Sequence, residues 1–342
     1  MKVGILTGGG DCPGLNAVIR AVVKRGVQFG YEFAGIKDGW QGLIEPSVME
    51  LTRDTVSGIL PRGGTILGTS RTNPFKKPDD ADRVMKNMKD LDIGALVCIG
   101  GDDTLGVAAK FHKKGVKVVG VPKTIDNDLA GTDFTFGFDT AVSIVTEALD
   151  RLHTTTEAHH RVMVVEVMGR HAGWIAVYGG LAGGADVILI PEKPFDVDEV
   201  CGYIKKRRDA GKHFSLIVAA EGAYPRGEKG MITRDKPLDA FGHARLGGVG
   251  EFLANEVESR TGLETRYVVL GHLQRGGSPT AFDRILATRY GVKAIEMVKE
   301  GRFGHTAALQ GGKIVEVSLE EATARTKTID PEMYRIAQIF FG

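Results

Sequence analysis

Two short stretches concentrate the residues able to do chemistry. Gly100-Gly101-Asp102-Asp103-Thr104 and Pro122-Lys123-Thr124-Ile125-Asp126-Asn127-Asp128 together hold four carboxylates, one lysine and a glycine pair. Each follows a short apolar run, Ala95–Ile99 and Val116–Val121, and such runs bounded by Gly or Pro read as buried strands. A helical pattern from Thr104 to His112 lies between them. The whole is a βαβ crossover, whose parallel strands deliver both loops to one sheet edge. Open α/β sheets bind ligands at that edge, and the glycines would let backbone come close to one. Carboxylates and a lysine in one crevice suit metal-assisted phosphoryl transfer. That reaction needs oxygen ligands for Mg²⁺, a base for the attacking hydroxyl and a cation for the moving phosphate.

Other glycine turns share this strand-end setting. Gly8-Gly9-Gly10-Asp11-Cys12-Pro13-Gly14 separates the strand Lys2–Thr7 from a helix with Leu15, Val18, Ile19, Val22 and Val23 at helical spacing. A glycine loop opening a helix offers N–H groups and the positive dipole end to an anion; a plain tight turn is the alternative. It lacks the lysine of a Walker loop and the dinucleotide fingerprint. Residues 38–75 are long, irregular and rich in turn formers, and they include Arg62-Gly63-Gly64 and Gly68-Thr69-Ser70-Arg71. Such segments in compact domains tend to be functional. Arg71 reads as a phosphate ligand or as a solvated surface arginine. Met168-Gly169-Arg170 follows the strand Val162–Val167, and the strand Thr265–Leu270 ends in Gly271-His272-Leu273-Gln274-Arg275-Gly276-Gly277. His159-His160 has no further His or Cys at ligand spacing, which argues against a metal there.

The elements that must position these turns alternate along the chain. Strands are expected at 32–37, 187–190 and 214–220, and helices at 79–91, from 138 through Leu152, at 172–182, 194–210, 248–260 and 279–299. Gly311-Gly312 parts two short strands, Pro331 opens a terminal helix, and residues 223–246 read as a polar surface excursion. This alternation predicts parallel sheets covered on both faces. A length of 342 residues predicts two lobes. At 42% hydrophobic and 25% charged the composition is that of an ordinary globular protein. With 44 basic and 43 acidic residues, neither nucleic acid nor membrane is an expected partner. Cys12, Cys98 and Cys201 are dispersed, as free thiols in a reducing cytoplasm would be. No leader pattern and no apolar run of membrane length is seen, so the expected location is cytoplasmic.

Taken in order and spacing, the Gly8–Asp11 loop, the Gly-Gly-Asp loop at 100, Thr124–Asp128, Met168–Arg170 and Gly271–Gly277 resemble the 6-phosphofructokinase family over nearly the whole chain. The resemblance implies an α/β fold of two Rossmann-like three-layer αβα lobes with mostly parallel sheets and the active site between them. The larger lobe would take residues 1–137 with about 252–305 and hold the phosphoryl donor and Mg²⁺. The smaller would take 138–251 with 306–342 and hold the sugar phosphate. The implied reaction is Mg²⁺-dependent phosphorylation of the 1-hydroxyl of fructose 6-phosphate.

Residue by residue, Asp126 matches the family's general base, and an ionised aspartate can accept the hydroxyl proton as attack proceeds. Asp102 matches the Mg²⁺ position with Asp128 in support, since a hard cation takes carboxylate oxygens and water. Thr124 matches a hydroxyl donor near the transferred phosphate, and Arg170 a cation that stabilises charge on the phosphoryl oxygens. Gly10 and Arg71 match contacts to the donor phosphate. Thr124, Ile125 and Asp126 also face the sugar phosphate in the family pattern, with Arg161, Met168, Gly169, Arg170 and Glu221. Arg266, His272, Leu273, Gln274 and Arg275 complete that set, in which arginine forks suit phosphate oxygens. Arg161 and Arg266 match residues that a neighbouring subunit contributes, which implies a homodimer or homotetramer.

One departure bears on the donor. ATP-using members commonly carry glycine where this chain has Asp103, and again where it has Lys123. An aspartate at 103 would occupy the space of a nucleotide's α-phosphate and ribose. Like charges 4 Å apart repel by about 1 kcal/mol in water and about 4 kcal/mol at an effective dielectric near 20. Pyrophosphate lacks an α-phosphate and avoids the clash, and the Lys123 ammonium can reach the leaving phosphate. The pair resembles the pyrophosphate-dependent members, so pyrophosphate is the expected donor and a readily reversible reaction follows. A plain Asp103–Lys123 ion pair is the alternative, and lysine at 123 also resembles some ATP-using relatives, so Asp103 is the more informative residue. ATP-dependent phosphofructokinase is the nearest rival. Lipid and NAD kinases share a Gly-Gly-Asp loop but not the His272–Gly277 motif. A non-catalytic paralogue has no need of Asp126, Asp102 and Arg170. Arg20, Lys24, Arg53 and Lys212 suit an effector site between subunits. His153 stands where a further arginine is expected; members resembling the pyrophosphate type often lack such control, so the resemblance implies weak or absent nucleotide control.

Overall fold

The opening apolar run folds as β1 (Lys2–Thr7), and the glycine loop behind it feeds α1 (Leu15–Gly26), which buries the expected Leu15, Val18, Ile19, Val22 and Val23. This is a computed structural model, and it describes residues 1–227, 230–232, 241–242 and 246–342. The chain continues through β2 (Glu32–Ile36), α2 (Gln41–Ile44), β3 (Val48–Leu51), α3 (Asp80–Asp90), β4 (Ile93–Gly100), α4 (Asp102–Lys113) and β5 (Val118–Pro122). Then come α5 (Phe138–Ala158), β6 (Val162–Val167), α6 (Trp174–Ala182), β7 (Val187–Leu189), α7 (Val197–Asp209) and β8 (Ser215–Ala220). The last part holds α8 (Val249–Thr261), β9 (Thr265–Val269), α9 (Ala281–Glu300), β10 (His305–Gln310), β11 (Lys313–Ser318), α10 (Leu319–Ala322) and α11 (Pro331–Gln338).

Two sheets result. The larger runs β11-β10-β5-β4-β1-β2-β3 and the smaller β7-β8-β6-β9. The smaller is parallel throughout, and the larger is antiparallel only at its rims, where β3 pairs β2 and β11 pairs β10. Central strands read as unbroken apolar runs because both faces are covered: β6 and β8 are buried at every residue. β4 and β5 pair in parallel from Leu96↔Val118 to Gly100↔Pro122. That register sets the two chemistry-bearing loops side by side. Among the described residues no helix is long and apolar enough to cross a membrane, and all three cysteines are buried with free thiols.

Three expectations change. The segment 38–75 is not wholly irregular, since α2 and the rim strand β3 lie within it. The lobe boundaries also differ from the expected division. β10 pairs with β5 in the larger sheet, whereas 306–342 is expected in the smaller lobe. β9 pairs with β6 in the smaller sheet, whereas 252–305 is expected in the larger. Composition marks a strand but not the sheet edge it joins. Of the expected surface excursion at 223–246, residues 228–229, 233–240 and 243–245 lie outside the described residues.

Candidate active site

The C-terminal ends of β1, β4, β5 and β6 converge on one cleft. It is lined by Gly9, Gly10, Arg71, Gly101, Asp102, Asp103 and Thr104, and by Lys123, Thr124, Asp126, Asp128, Arg170 and Arg275. A larger groove runs along β2 and β3 past Tyr31, Met49 and Arg53, but it lies where Lys2 begins β1, the end opposite these loops.

The glycine loop is held from several sides. Gly8 N–H donates to Ile99 O at 3.0 Å and Gly9 N–H to Ser70 O at 3.1 Å. Thr69 Oγ1 donates to Gly9 O at 2.6 Å, Arg275 Nη1 to Asp11 O at 3.1 Å, and the Lys123 ammonium to Gly10 O. The 62–71 segment therefore buttresses the loop, and Arg71 reaches the cleft wall. A Cβ at Gly10 would stand 2.5 Å from Arg275 Nη1, so a side chain there would displace the guanidinium. Gly8 and Gly100 have a different reason from the expected ligand approach. Both close on Thr104, whose side-chain atoms a Cβ at either glycine would overlap. Thr104 is thus a wedge between two strand ends, and no local pattern in the sequence marks it.

The loop after β5 presents Asp126 to the cleft. Asp126 is 4% exposed, and its Oδ1 accepts no hydrogen bond among the described residues. Its N–H donates to Thr124 Oγ1 at 3.0 Å, so that oxygen is fixed and the hydroxyl proton can turn to the cleft. Asn127 adopts a left-handed φ of 52°. Its side chain accepts from Thr135 N–H at 3.0 Å and donates to Asp133 O at 3.3 Å. Burial, then the charges of Asp126 and Asp102, push the Asp128 carboxyl up to about 7. Carboxylates crowded in this way favour a cation between them. Two carboxylates facing a phosphate site fit Mg²⁺, which keeps water and substrate oxygens as its other ligands. No cluster of three or more acidic, His or Cys side chains forms a protein cage among the described residues. Burial pulls the Lys123 ammonium below its usual range, while Asp126 and Asp102 act against that shift.

Arg170 enters the cleft from the end of β6, within reach of the Asp126 charge. Burial opposes its charge, but Asp126, Asp102, Asp103 and Asp128 together hold its guanidinium above the ordinary range. Its backbone is strained, with φ 50° after Gly169 at φ 143°. Arg170 N–H donates to Glu221 Oε1 at 3.3 Å, and a Cβ at Gly222 would overlap Arg170 O.

Glu221 carries a pH signature. Burial, then the charge of Asp126, raise its carboxyl from 4.5 to about 7. The folded state therefore binds this proton more tightly than the unfolded state. Stability from this group is full below pH 4.5, falls as pH rises toward 7 and stays low above it. Glu221→Gln is expected to raise the unfolding free energy of the ligand-free protein by about 2 kcal/mol at pH 8. The gain should shrink to nothing near pH 4.5; equal gains at both pH values in denaturant titrations would refute the assignment.

Not every expected residue faces the cleft. Ile125 is fully buried in the core, so only its backbone is available. Gln274 is also fully buried; its Oε1 accepts from Met168 N–H at 3.3 Å and its Nε2 donates to Gly271 O at 3.1 Å. It supports the Met168–Arg170 turn and does not reach the cleft. Arg275 lies against the glycine loop and lines the cleft. His272 is exposed and Leu273 is 69% exposed, both outside the cleft lining. Arg161 and Arg266 share Glu264, at 3.0 and 2.9 Å. They stand where β6 and β9 begin, and β6 is six residues long, so about 20 Å of strand separates them from Met168–Arg170.

Comparison with known proteins places this geometry. The family model described as phosphofructokinase matches residues 2–298. The pyrophosphate–fructose 6-phosphate 1-phosphotransferase of Streptomyces coelicolor is 60% identical, over 100% of both chains. An ATP-dependent 6-phosphofructokinase of the same organism is 51% identical, over 99% of both. Among solved structures, Pichia pastoris phosphofructokinase in the T-state aligns with a TM-score of 0.84 at 33% identity, covering 99% of this chain and 36% of that one.

Proposed function

The chain belongs to the phosphofructokinase family, and from that premise we propose that it transfers a phosphoryl group from pyrophosphate to the 1-hydroxyl of fructose 6-phosphate. The products are fructose 1,6-bisphosphate and phosphate. The observation that carries this reading is Asp126, a buried carboxylate whose Oδ1 has no protein partner among the described residues, standing opposite Arg170 across the cleft.

In this reading Asp126 accepts the proton of the 1-hydroxyl as its oxygen attacks the near phosphorus of pyrophosphate. Arg170 stabilises the charge spread over the moving phosphoryl oxygens, and the Thr124 hydroxyl donates to one of them. The Gly10 backbone N–H and Arg71 hold the donor. Lys123, anchored on Gly10 O, faces the leaving phosphate. Asp102 and Asp128 would hold Mg²⁺, which would supply charge neutralisation at the phosphate oxygens. The Gln274-supported turn at Met168–Arg170 orients the sugar phosphate.

The separation of Arg161 and Arg266 from the cleft supports their service to a neighbouring subunit. They sit beside the edge strand β9, where Tyr267 and Val269 are 44% and 40% exposed. An unpaired, partly apolar strand edge favours a covering copy, and at least a homodimer follows. The buried free thiols fit a cytoplasmic protein.

ATP is the second reading, favoured by the 51% identity to an ATP-dependent relative. Initial rates with fructose 6-phosphate and Mg²⁺, pyrophosphate and ATP side by side, separate the two. Turnover is expected with pyrophosphate and in both directions. Turnover with ATP alone overturns the donor assignment, and turnover with neither overturns the reaction.

A further inference from the structure

A strap of chain between α10 and α11 crosses the back of the catalytic loop. Thr326 pairs with Leu129 in an antiparallel bridge, and Lys327 N–H donates to Asp128 O at 2.7 Å. The Lys327 ammonium donates to Asn127 Oδ1 at 3.1 Å, Thr132 O at 2.8 Å and Asp133 O at 2.9 Å. An ammonium has three protons, and three acceptors of one loop converge on them. The same residue reaches the opposite wall. Its ammonium lies 4.8 Å over the Trp174 ring, and Trp174 Nε1 donates to Lys327 O at 2.9 Å. Two residues on, Ile329 N–H donates to Glu192 Oε1 at 3.0 Å, the oxygen that also takes Gly173 N–H at 2.9 Å.

We propose that Lys327 is a positioning residue that sets the base Asp126 against the phosphoryl-binding Arg170. Asn127 sits in a left-handed conformation between Asp126 and Asp128. A strained residue of that kind holds only where its surroundings over-determine it. Thr135 and Asp133 supply that from within the loop, and Lys327 supplies it from outside. The strap also holds Trp174 directly and Gly173 through Glu192, two residues that follow Arg170 closely in the chain. One residue thus ties the base loop after β5 to the turn after β6. Small displacements of a base from its attack geometry cost rate more than binding.

The inference rests on Asp126 acting as the base, and the test separates the two. Lys327→Met keeps the stem against Trp174 and removes the three donors. Lys327→Arg keeps the charge but spreads it over a planar fork that cannot reproduce a convergent tripod. In the full chain, both variants are expected to lose 10- to 100-fold in kcat, with KM for fructose 6-phosphate and pyrophosphate within threefold of wild type. Amide hydrogen exchange of residues 126–135 should accelerate at least tenfold without substrates. Wild-type kcat in either folded variant overturns the inference. So does faster exchange confined to 323–330 with the 126–135 loop still protected. If Lys327→Met does not fold, Lys327→Arg carries both readouts. An inactive wild type refutes the proposed reaction, while the exchange experiment still decides whether Lys327 holds the loop.

Discussion

Asp126→Asn is expected to lower kcat about a thousandfold with KM for both substrates within threefold, a loss within the range for removing a general base. The side chain is 4% exposed and its Oδ1 is unpaired among the described residues, so the amide fits the same space and the fold should persist. The thermal midpoint should hold or rise, because a buried charge is removed beside Asp128. Full activity in this variant would remove Asp126 from the mechanism. The same variant tests the shared site. Arg266→Ala is expected to raise KM for fructose 6-phosphate more than tenfold. When the two variants are unfolded, mixed and refolded together, about a quarter of wild-type activity should return, since half of randomly paired dimers hold one complete site of two. No recovery in confirmed hybrids would show that Arg266 does not cross between subunits.

Asp103→Gly is expected to admit ATP. Asp103 lines the cleft in the first turn of α4, beside Gly101, and adds to the negative charge that holds Arg170 protonated. Removing it relieves the repulsion of an α-phosphate, worth up to about 4 kcal/mol at an effective dielectric near 20, or roughly a thousandfold in kcat/KM for ATP. The pyrophosphate rate should fall tenfold or more, because a glycine no longer shapes the donor site for the short ligand. Measuring kcat/KM for both donors decides the matter. An unchanged donor preference would mean that Asp103 does not set it, and the gate would have to be sought elsewhere along the cleft.

The core of the site is legible in the chain itself. The β4–α4–β5 unit is a local pattern: two apolar runs, a helical spacing between them and glycine or proline at each end. Parallel pairing then has one outcome, and it puts Asp102, Asp103, Lys123, Asp126 and Asp128 in a single cleft. Arg170 and the glycine loop follow by the same logic, each at the C-terminal end of a strand.

Tertiary structure decided what depends on direction and on partners far along the chain. Gln274 and Arg275 are neighbours in one motif, yet one turns inward to brace Met168 and the other turns to the glycine loop at Asp11. Gly100 closes on Thr104, whose side chain a Cβ there would overlap. β10 and β11 extend the sheet that β1 began, and Lys327, in a stretch with no motif, closes on Asn127. Sequence by itself marked the strands other than the rim strand β3, the loops that end them and the charged groups those loops carry, because hydrophobic period and turn chemistry act over a few residues. Which sheet edge a late strand joins, and which way a side chain points, depend on packing between segments far apart in the chain, and only the folded protein resolves that choice.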